Sequence, residues 1–315
     1  MSTSHGYLLS IAMKEAKQSQ NNDETSSNYN FDRYQKSKCS GMSYRQLGKI
    51  SINVSTIAFG CGAMGGLFGD FKDSLDKLLN KALRSGVNYI DTAYWYGQAD
   101  PKNFLDKFEL DFSRPYDYRA HILLKQLTIS LKRLKLCGYL LSAAETIFGE
   151  SLEALRIAKL TGKAKYIGLA LYTLRNIVYK LLVQFNLEVL SYVIENTDLK
   201  MDVVVTYGRA NLCDNSLGEY IQRLKLSGVG IVNGALLSMG LLTNNGPPDW
   251  QPAPSYVFQA VSYCKSKGIS LVKLAIGYAI QFPGISTCLI GVSNMDYFLQ
   301  YLKVVCCDGL TDDEE

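Results

Sequence analysis

Two short segments of the sequence carry residue types and spacings that could support chemistry. The first, residues 60–65 with the sequence GCGAMG, matches the GxGxxG pattern, follows an apolar run and precedes a helical pattern. Glycines in such a loop allow the backbone to approach a pyrophosphate closely, and an acid at the end of the next strand can bind a ribose. Asp91 stands at that place. Dinucleotide binding is therefore one interpretation of these residues.

Two details argue against a doubly wound Rossmann fold around this loop. In such a fold the loop opens directly into its helix, whose N-terminus faces the pyrophosphate. Here residues 66–70 intervene before helical periodicity begins. Asp91 also begins a second motif, residues 91–97 with the sequence DTAYWYG, which a ribose-binding strand does not require. We therefore favour a loop between a strand and a helix of a barrel, with the Rossmann fold as the alternative.

The elements that must position these motifs alternate along the chain. Apolar runs predict strands at 57–62, 88–93, 138–144, 164–171, 202–207, 230–235 and 286–292. Helical patterns occupy 71–85, 119–136, 150–160, 174–185, 217–226 and 295–305, with helical turns within 256–282. Repeated strand–helix units with continuously apolar strands predict an α/β protein with a parallel sheet or barrel. We expect residues 42–315 to form one domain.

The N-terminal residues 1–41 differ from this pattern. From residue 18 to residue 40 the chain is polar and shows no apolar period. Such a segment cannot bury enough apolar surface to offset the entropy lost on ordering. The sequence therefore predicts a disordered extension over residues 1–41.

Composition restricts the class of function. The net charge is only +4, and lysines and arginines do not cluster, so we expect no nucleic-acid partner. No apolar stretch reaches about 18 residues, so we expect no membrane span. Eight cysteines show no CxxC pair and there are two histidines, so a zinc site is not expected. Scattered cysteines are typical of a reduced, cytoplasmic protein.

The motif at 91–97 resembles the signature that follows the second barrel strand of aldo-keto reductases. Residues 44–48 and 53–55 resemble the hairpin that closes the bottom of that barrel, and residues 240–248 with Trp250 resemble the L-galactose dehydrogenase-like branch. The resemblance implies a (β/α)8 TIM-type barrel with an N-terminal β-hairpin. It also implies hydride transfer between NAD or NADP and a small-molecule substrate, either a sugar hydroxyl or a carbonyl compound.

The resemblance assigns roles to individual residues. In this family a tyrosine exchanges the proton, a lysine beside it stabilises the phenolate, an aspartate holds the lysine and a histidine positions the carbonyl oxygen. A free tyrosine has a pKa near 10, so the lysine matters for proton exchange at neutral pH. By motif position Tyr96 would be the acid/base and Asp91 the partner of the lysine. The implied cofactor-binding residues are Gly62, Met64, Leu237, Gly240, Gly291, Val292 and Ser293.

The sequence departs from the family where the lysine and the histidine should stand. Residues 103–107 resemble the helix before strand three, but residues 109–113 already resemble the sequence beyond that strand. Strand three and its lysine are therefore predicted to be missing, and Lys107 is a poor substitute because barrel chemistry sits at strand ends. Residues 140–145, at the end of strand four, contain no histidine. The sequence stops about where the final family helix would begin.

Three functional interpretations stay open on these residues. The chain is an oxidoreductase of impaired activity, a catalytically inactive barrel that binds a nucleotide or a partner, or the product of an incorrect gene model that skips an exon. Residues 291–296 precede or begin the last helix, contain Asp296 and lack lysine and arginine. A 2′-phosphate would find no cation there, which favours NAD over NADP. The substrate and the oligomeric state stay open.

Overall fold

The computed structural model describes residues 8–12, 41–65, 74–93, 139–143, 150–170, 194–249 and 253–308, with isolated positions at 120–121, 124–125, 127–128, 187, 191–192 and 251. Its strands are β1 (Leu8–Ala12), β2 (Tyr44–Gln46), β3 (Asn53–Ser55), β4 (Ile57–Gly60), β5 (Tyr89–Ala93), β6 (Tyr139–Ala143), β7 (Ala164–Ala170), β8 (Val203–Tyr207), β9 (Gly230–Gly234) and β10 (Thr287–Ile290). Its α-helices with described bounds are α1 (Leu75–Arg84), α2 (Glu150–Leu160), α3 (Ile221–Leu226), α4 (Ser255–Ser266), α5 (Leu271–Gln281) and α6 (Met295–Lys303).

The sheet closes on itself. Its strand order is β1-β5-β4-β10-β9-β8-β7-β6, and β1 pairs with β6 to complete the ring. The strands β4 to β10 run in one direction, because their neighbouring pairs are parallel and β1 is antiparallel to both β5 and β6. The predicted TIM-type barrel is confirmed. The Rossmann alternative is wrong, because a closed sheet has no point at which the strand order reverses.

The strand–helix alternation follows the sequence pattern closely in the described residues. The first predicted strand ends earlier than expected, because residues Cys61–Gly65 wind into a 3-10 helix. The predicted helix 217–226 is divided into a 3-10 helix, Ser216–Glu219, and α3. The predicted helix 174–185 lies outside the described residues.

Strand β1 corrects the prediction for the N-terminus. The expectation that residues 1–41 lack regular structure does not hold for Leu8–Ala12, which pair with β5 along their whole length and, over residues 8–10, also with β6. These five residues lie between β5 and β6, where a (β/α)8 barrel has its third strand. Residues 94–119 and 309–315 lie outside the described residues, so the missing third strand and the missing final helix stay predictions.

The antiparallel hairpin β2–β3 closes the bottom of the barrel, as predicted. Its apolar residues pack into one buried cluster with side chains that point into the barrel: Leu47, Ile50, Ile52, Val54, Ala58, Tyr89, Ala170, Val203, Val205 and Val232. The Arg45 guanidinium donates hydrogen bonds to the carbonyls of Ile285 at 3.0 Å and Ile280 at 2.6 Å. The hairpin is therefore fixed both by apolar burial and by charged hydrogen bonds to the segment before β10.

A second apolar layer joins the outer face of the barrel to the helices. Helix α1 turns Leu78, Ala82 and Leu83 towards it. The rings of Phe59 and Phe298, from β4 and α6, meet edge to face with their centroids 6.0 Å apart. The helix spacing of apolar residues predicted from sequence therefore serves to cover the barrel.

Gly48 allows the hairpin to approach the barrel closely, and this close approach can be tested. Its φ is +57°, and a Cβ there would lie 2.3 Å from the backbone nitrogen of Gly230. Gly162 has a similar φ of +70° with nothing within 4 Å. In chemical denaturation, Gly162→Ala should cost about 1–2 kcal/mol for its left-handed backbone alone. Gly48→Ala should cost about 1–3 kcal/mol more, because the neighbouring backbone must shift. Equal losses of unfolding free energy would contradict this account of the hairpin.

Candidate functional site

A cavity of about 400 Å³ opens where the parallel strands end. The strand residues at its wall include Gly60 of β4, Asp91 of β5, Tyr207 of β8, Gly234 of β9 and Ile290 of β10. In parallel barrels the carboxyl ends of the strands form the face where ligands and catalytic groups meet, since loops from many strands converge there. The volume lies within the range of small-molecule sites.

The structure brings together most of the residues that the sequence predicts for cofactor binding. Six of them line this cavity: Gly62, Leu237, Gly240, Gly291, Val292 and Ser293. Met64 belongs to the 3-10 helix Cys61–Gly65 beside them, and its side chain is not among those described. These residues come from the segments that follow β4, β9 and β10, three strands that are adjacent in the sheet although β9 and β10 lie far from β4 in sequence. Their role in binding a cofactor stays a prediction.

Asp91 is buried in this site, with 3% of its surface exposed. It stands opposite Gly60 in the ladder between β4 and β5. Burial raises the pKa of the neighbouring Cys61 thiol, the Asp91 carboxylate raises it further, and a hydrogen bond with Thr92 opposes both effects. Tyr96, the predicted acid/base, lies outside the described residues.

The described lining of the cavity contains one ionisable side chain of the acidic or basic residue types. Among the described residues that line the cavity, Asp91 is the only Asp, Glu, Lys, Arg or His. His121 is exposed at a helical position and does not line the cavity. His5 and Lys107 lie outside the described residues. The segments in which the family lysine and histidine would stand, residues 94–119 and 144–149, lie outside the described residues, so their predicted loss stays a prediction.

The loop after β9 wraps around the cavity in an unusual backbone conformation. Ala235, Ser238 and Met239 have φ values of 59°, 49° and 53°, and Gly240 follows at 89°. A left-handed conformation costs a non-glycine residue roughly 1–2 kcal/mol. Gln251 holds the loop, since its amide donates a hydrogen bond to the Ser238 carbonyl at 3.0 Å. Strain of this kind collects at ligand sites, and no residue pattern in this loop predicts it.

Several further residues of the wall were not found by sequence reasoning. Tyr207 ends a predicted strand, so an aromatic residue at a strand end was the available signal. A Cβ on Gly234 would lie 2.9 Å from the Tyr207 ring, so the glycine makes room for that ring. Further wall residues that were not predicted to bind the cofactor come from α6 and from the loop at 243–248, for which the resemblance of residues 240–248 was the available signal: Thr243, Asn244, Asn245, Gly246, Pro247, Pro248, Tyr297, Gln300 and Tyr301.

The predicted phosphate-binding turn lies directly before α6. The Asn294 side chain caps this helix by accepting a hydrogen bond from the backbone N–H of Tyr297 at 2.9 Å. Asp296 lies in the first helical turn, and residues 291–296 contain no lysine or arginine. A phosphate here would meet backbone N–H groups and the positive end of the helix dipole, but no cationic side chain from this turn.

Two other kinds of site are not found in the described part of the chain. No group of three or more histidine, cysteine, aspartate or glutamate residues there is arranged to hold a metal ion. None of its helices combines the length and the apolar character needed to cross a membrane.

Comparison with known proteins gives one consistent result. The profile of the Aldo/keto reductase family matches residues 56–314. L-galactose dehydrogenase of Arabidopsis thaliana is 29% identical over 281 residues, which cover 80% of this chain and 84% of that protein. D-arabinose 1-dehydrogenase of Saccharomyces cerevisiae is 26% identical over 280 residues, or 78% and 81% of the two chains.

Solved structures agree on the fold. The holo form of aldo-keto reductase AKR11C1 from Bacillus halodurans superposes with a TM-score of 0.55 at 20% identity, covering 87% of this chain and 94% of that one. Its apo form gives a TM-score of 0.56 at 18% identity, covering 87% and 93%.

The charge on Asp91 can be tested through the thiol beside it. In Asp91→Asn, the pKa of Cys61 should fall, and its alkylation at a fixed, mildly alkaline pH should accelerate, since each unit of pKa changes the thiolate fraction about tenfold. Cys288 is the internal control, because burial raises its pKa to about 12 without a contribution from Asp91. Mass spectrometry of labelled peptides measures both rates. Equal acceleration of both thiols would instead indicate a loosened fold, and no change at Cys61 would contradict the placement of the charge.

Proposed function

The chain belongs to the aldo/keto reductase family, and we propose that it is an oxidoreductase acting on a sugar hydroxyl or a related carbonyl with a nicotinamide cofactor. The observation that carries this proposal is the assembly of six predicted cofactor residues and Asp91 around one cavity. The sugar class is supported by the two curated relatives, both of which are dehydrogenases named for sugars.

The residues present fit a nicotinamide cofactor. Such a cofactor would supply or accept the hydride. Backbone N–H groups between Gly291 and Ser293 would hold a phosphate, because a helix start follows them directly. The glycines Gly62 and Gly240 leave room along the wall, whereas Leu237 and Val292 offer apolar surface there. Met64 belongs to the same 3-10 helix as Gly62 and is proposed to take part in binding the cofactor.

The proton step would rest on Tyr96 and Asp91. Strand β5 places Asp91 inside the cavity, and Tyr96 follows five residues later, beyond the strand's end at Ala93. In the proposed role Tyr96 passes its phenolic proton to the substrate oxygen, or takes it back. A tyrosine pKa near 10 makes this exchange slow unless a cation stabilises the phenolate. The predicted loss of the family lysine leaves Tyr96 without this cation, so we propose that the activity is impaired.

A catalytically inactive barrel that still binds nucleotide is the second candidate function. The observation that favours it is that the predicted cofactor residues line the cavity, whereas the lysine and the histidine are predicted to be missing from the sequence. Cofactor binding without turnover would distinguish this candidate from the first.

The proposed impairment predicts slow turnover. With NAD or NADP and L-galactose, or with the reduced cofactors and simple aldehydes, we expect turnover below the usual range of about 1–10³ per second. Loss of acid–base assistance typically costs about 10²–10⁴ in rate. Because Tyr96 is expected to exchange its proton inefficiently in the unmodified protein, Tyr96→Phe should lower the turnover rate only slightly. Ordinary turnover that collapses in Tyr96→Phe would contradict the impairment, and Lys107→Met would then test whether Lys107 has replaced the family lysine.

The charge of the turn before α6 predicts a preference for NAD over NADP. Calorimetry should give tighter binding of NADH than of NADPH, because Asp296 would repel a 2′-phosphate whereas a carboxylate accepts hydrogen bonds from a ribose diol. In Asp296→Asn the difference between the two cofactors should narrow. Asp76→Asn is the matched control, since Asp76 is exposed and occupies the same position in the first turn of α1. Tighter NADPH binding by the unmodified protein would refute the preference.

A further inference from the structure

The N-terminal strand β1 is the feature of this chain that its family does not account for. It lies outside residues 56–314, the part that matches the family. It also runs antiparallel to both neighbours, whereas a (β/α)8 barrel has parallel strands throughout. Its register is continuous on both sides, with Ser10 opposite Asp91 of β5 and opposite Leu140 of β6.

We propose that Leu8–Ala12 serves as the closing strand of the barrel within the same chain and thereby positions the strand that carries Asp91. Without β1, the edges of β5 and β6 that now pair with it would each expose a row of backbone N–H and C=O groups. The gap would open next to the cavity, because Asp91 itself lies in the ladder with β1. This role of β1 deepens the proposed function, and it rests on that function only where the affinity for NADH is measured.

The composition of β1 suits a strand that is paired on both edges. Its sequence LLSIA contains no charge, proline or glycine, and four of its five residues are apolar. Strands with neighbours on both sides and both faces covered are typically near-continuous apolar runs.

The topology favours an intramolecular strand over one donated by a second copy. Because β1 is antiparallel, its last residue, Ala12, stands opposite Tyr89 at the beginning of β5. The hairpin β2–β3 contacts the same end of the barrel, since the backbone N–H of Ser55 donates a hydrogen bond to the Asn88 side chain at 2.7 Å. Ala12 and the hairpin that begins at Tyr44, which lie on either side of residues 13–40 in the sequence, are therefore both at the bottom face. These 28 residues can reach about 90 Å when extended, against a radius of gyration of about 20 Å for a domain of this size.

A cross-link tests the register directly and does not depend on activity. Directly opposite residues in an antiparallel pair have Cα atoms about 4.5–5.5 Å apart, which a disulfide can bridge. In the full chain, Ser10→Cys with Leu140→Cys should form an intrachain disulfide on mild oxidation, as detected by peptide mass spectrometry and non-reducing gels. Ser10→Cys with Leu141→Cys is the matched control, because neighbouring strand residues point to opposite faces. A cross-linked dimer, or a cross-link that prefers position 141, would overturn the proposal.

A proline at the same position tests whether the strand holds the site together. Ser10 is paired with both β5 and β6. Because proline has no backbone N–H, Ser10→Pro removes a ladder donor regardless of which of the two strands accepts its hydrogen bond. Ser10→Pro should lower the unfolding temperature by several degrees and accelerate alkylation of Cys61, whereas Ser10→Ala should do neither. Failure of Ser10→Pro alone to fold would also support the proposal, and equal unfolding temperatures of the two variants would overturn it. The affinity for NADH should fall in Ser10→Pro. If the unmodified protein binds no cofactor, the proposed function is wrong, but the cross-linking experiment still tests whether Leu8–Ala12 closes the barrel.

Discussion

Closure of one hydrogen-bonded sheet is the constraint on which the rest of this structure depends. Every strand of a barrel satisfies its backbone groups only through neighbours on both sides, so one absent strand leaves two edges unpaired. Here the ring closes through β1, which pairs with β5 and β6. The site depends on the order of the strands in this sheet, because Gly60, Asp91 and Gly234 belong to β4, β5 and β9, which the order β5-β4-β10-β9 brings together although β9 lies far from the other two in sequence.

The two ends of the closed barrel serve different purposes. At the bottom, the hairpin β2–β3 seals the interior with apolar side chains, and Gly48 and Gly230 allow its backbone to come close. At the top, the interior stays open as the cavity, bordered by the strained loop after β9. A rigid, well-packed base can sustain the strain of such a loop, which is the general division between stability and chemistry in parallel barrels.

The electrostatics of the described cavity are dominated by one buried carboxylate. Asp91 affects the nearby thiol of Cys61, and the described lining brings no lysine, arginine or histidine to it. In the family roles that the sequence resemblance implies, the aspartate holds a lysine, and this lysine assists the tyrosine. A cavity with the aspartate and the predicted cofactor residues is compatible with slow catalysis and also with cofactor binding alone. The two proposed functions therefore differ in proton transfer and not in cofactor binding.

The sequence by itself determined what local patterns encode. Alternating apolar runs and helical periods predicted the strands from β4 to β10, and the motifs around Gly62, Asp91 and Gly291 indicated a nucleotide site whose members the fold then brought together. Only the tertiary structure decided between a barrel and an open sheet, because both share the same local pattern and differ in whether the sheet's two edges meet. It also decided the place of Leu8–Ala12 and the left-handed conformations of Ala235, Ser238 and Met239. A five-residue apolar run does not specify partners some 80 and 130 residues away, and a backbone conformation imposed by surrounding contacts has no signal in residue type.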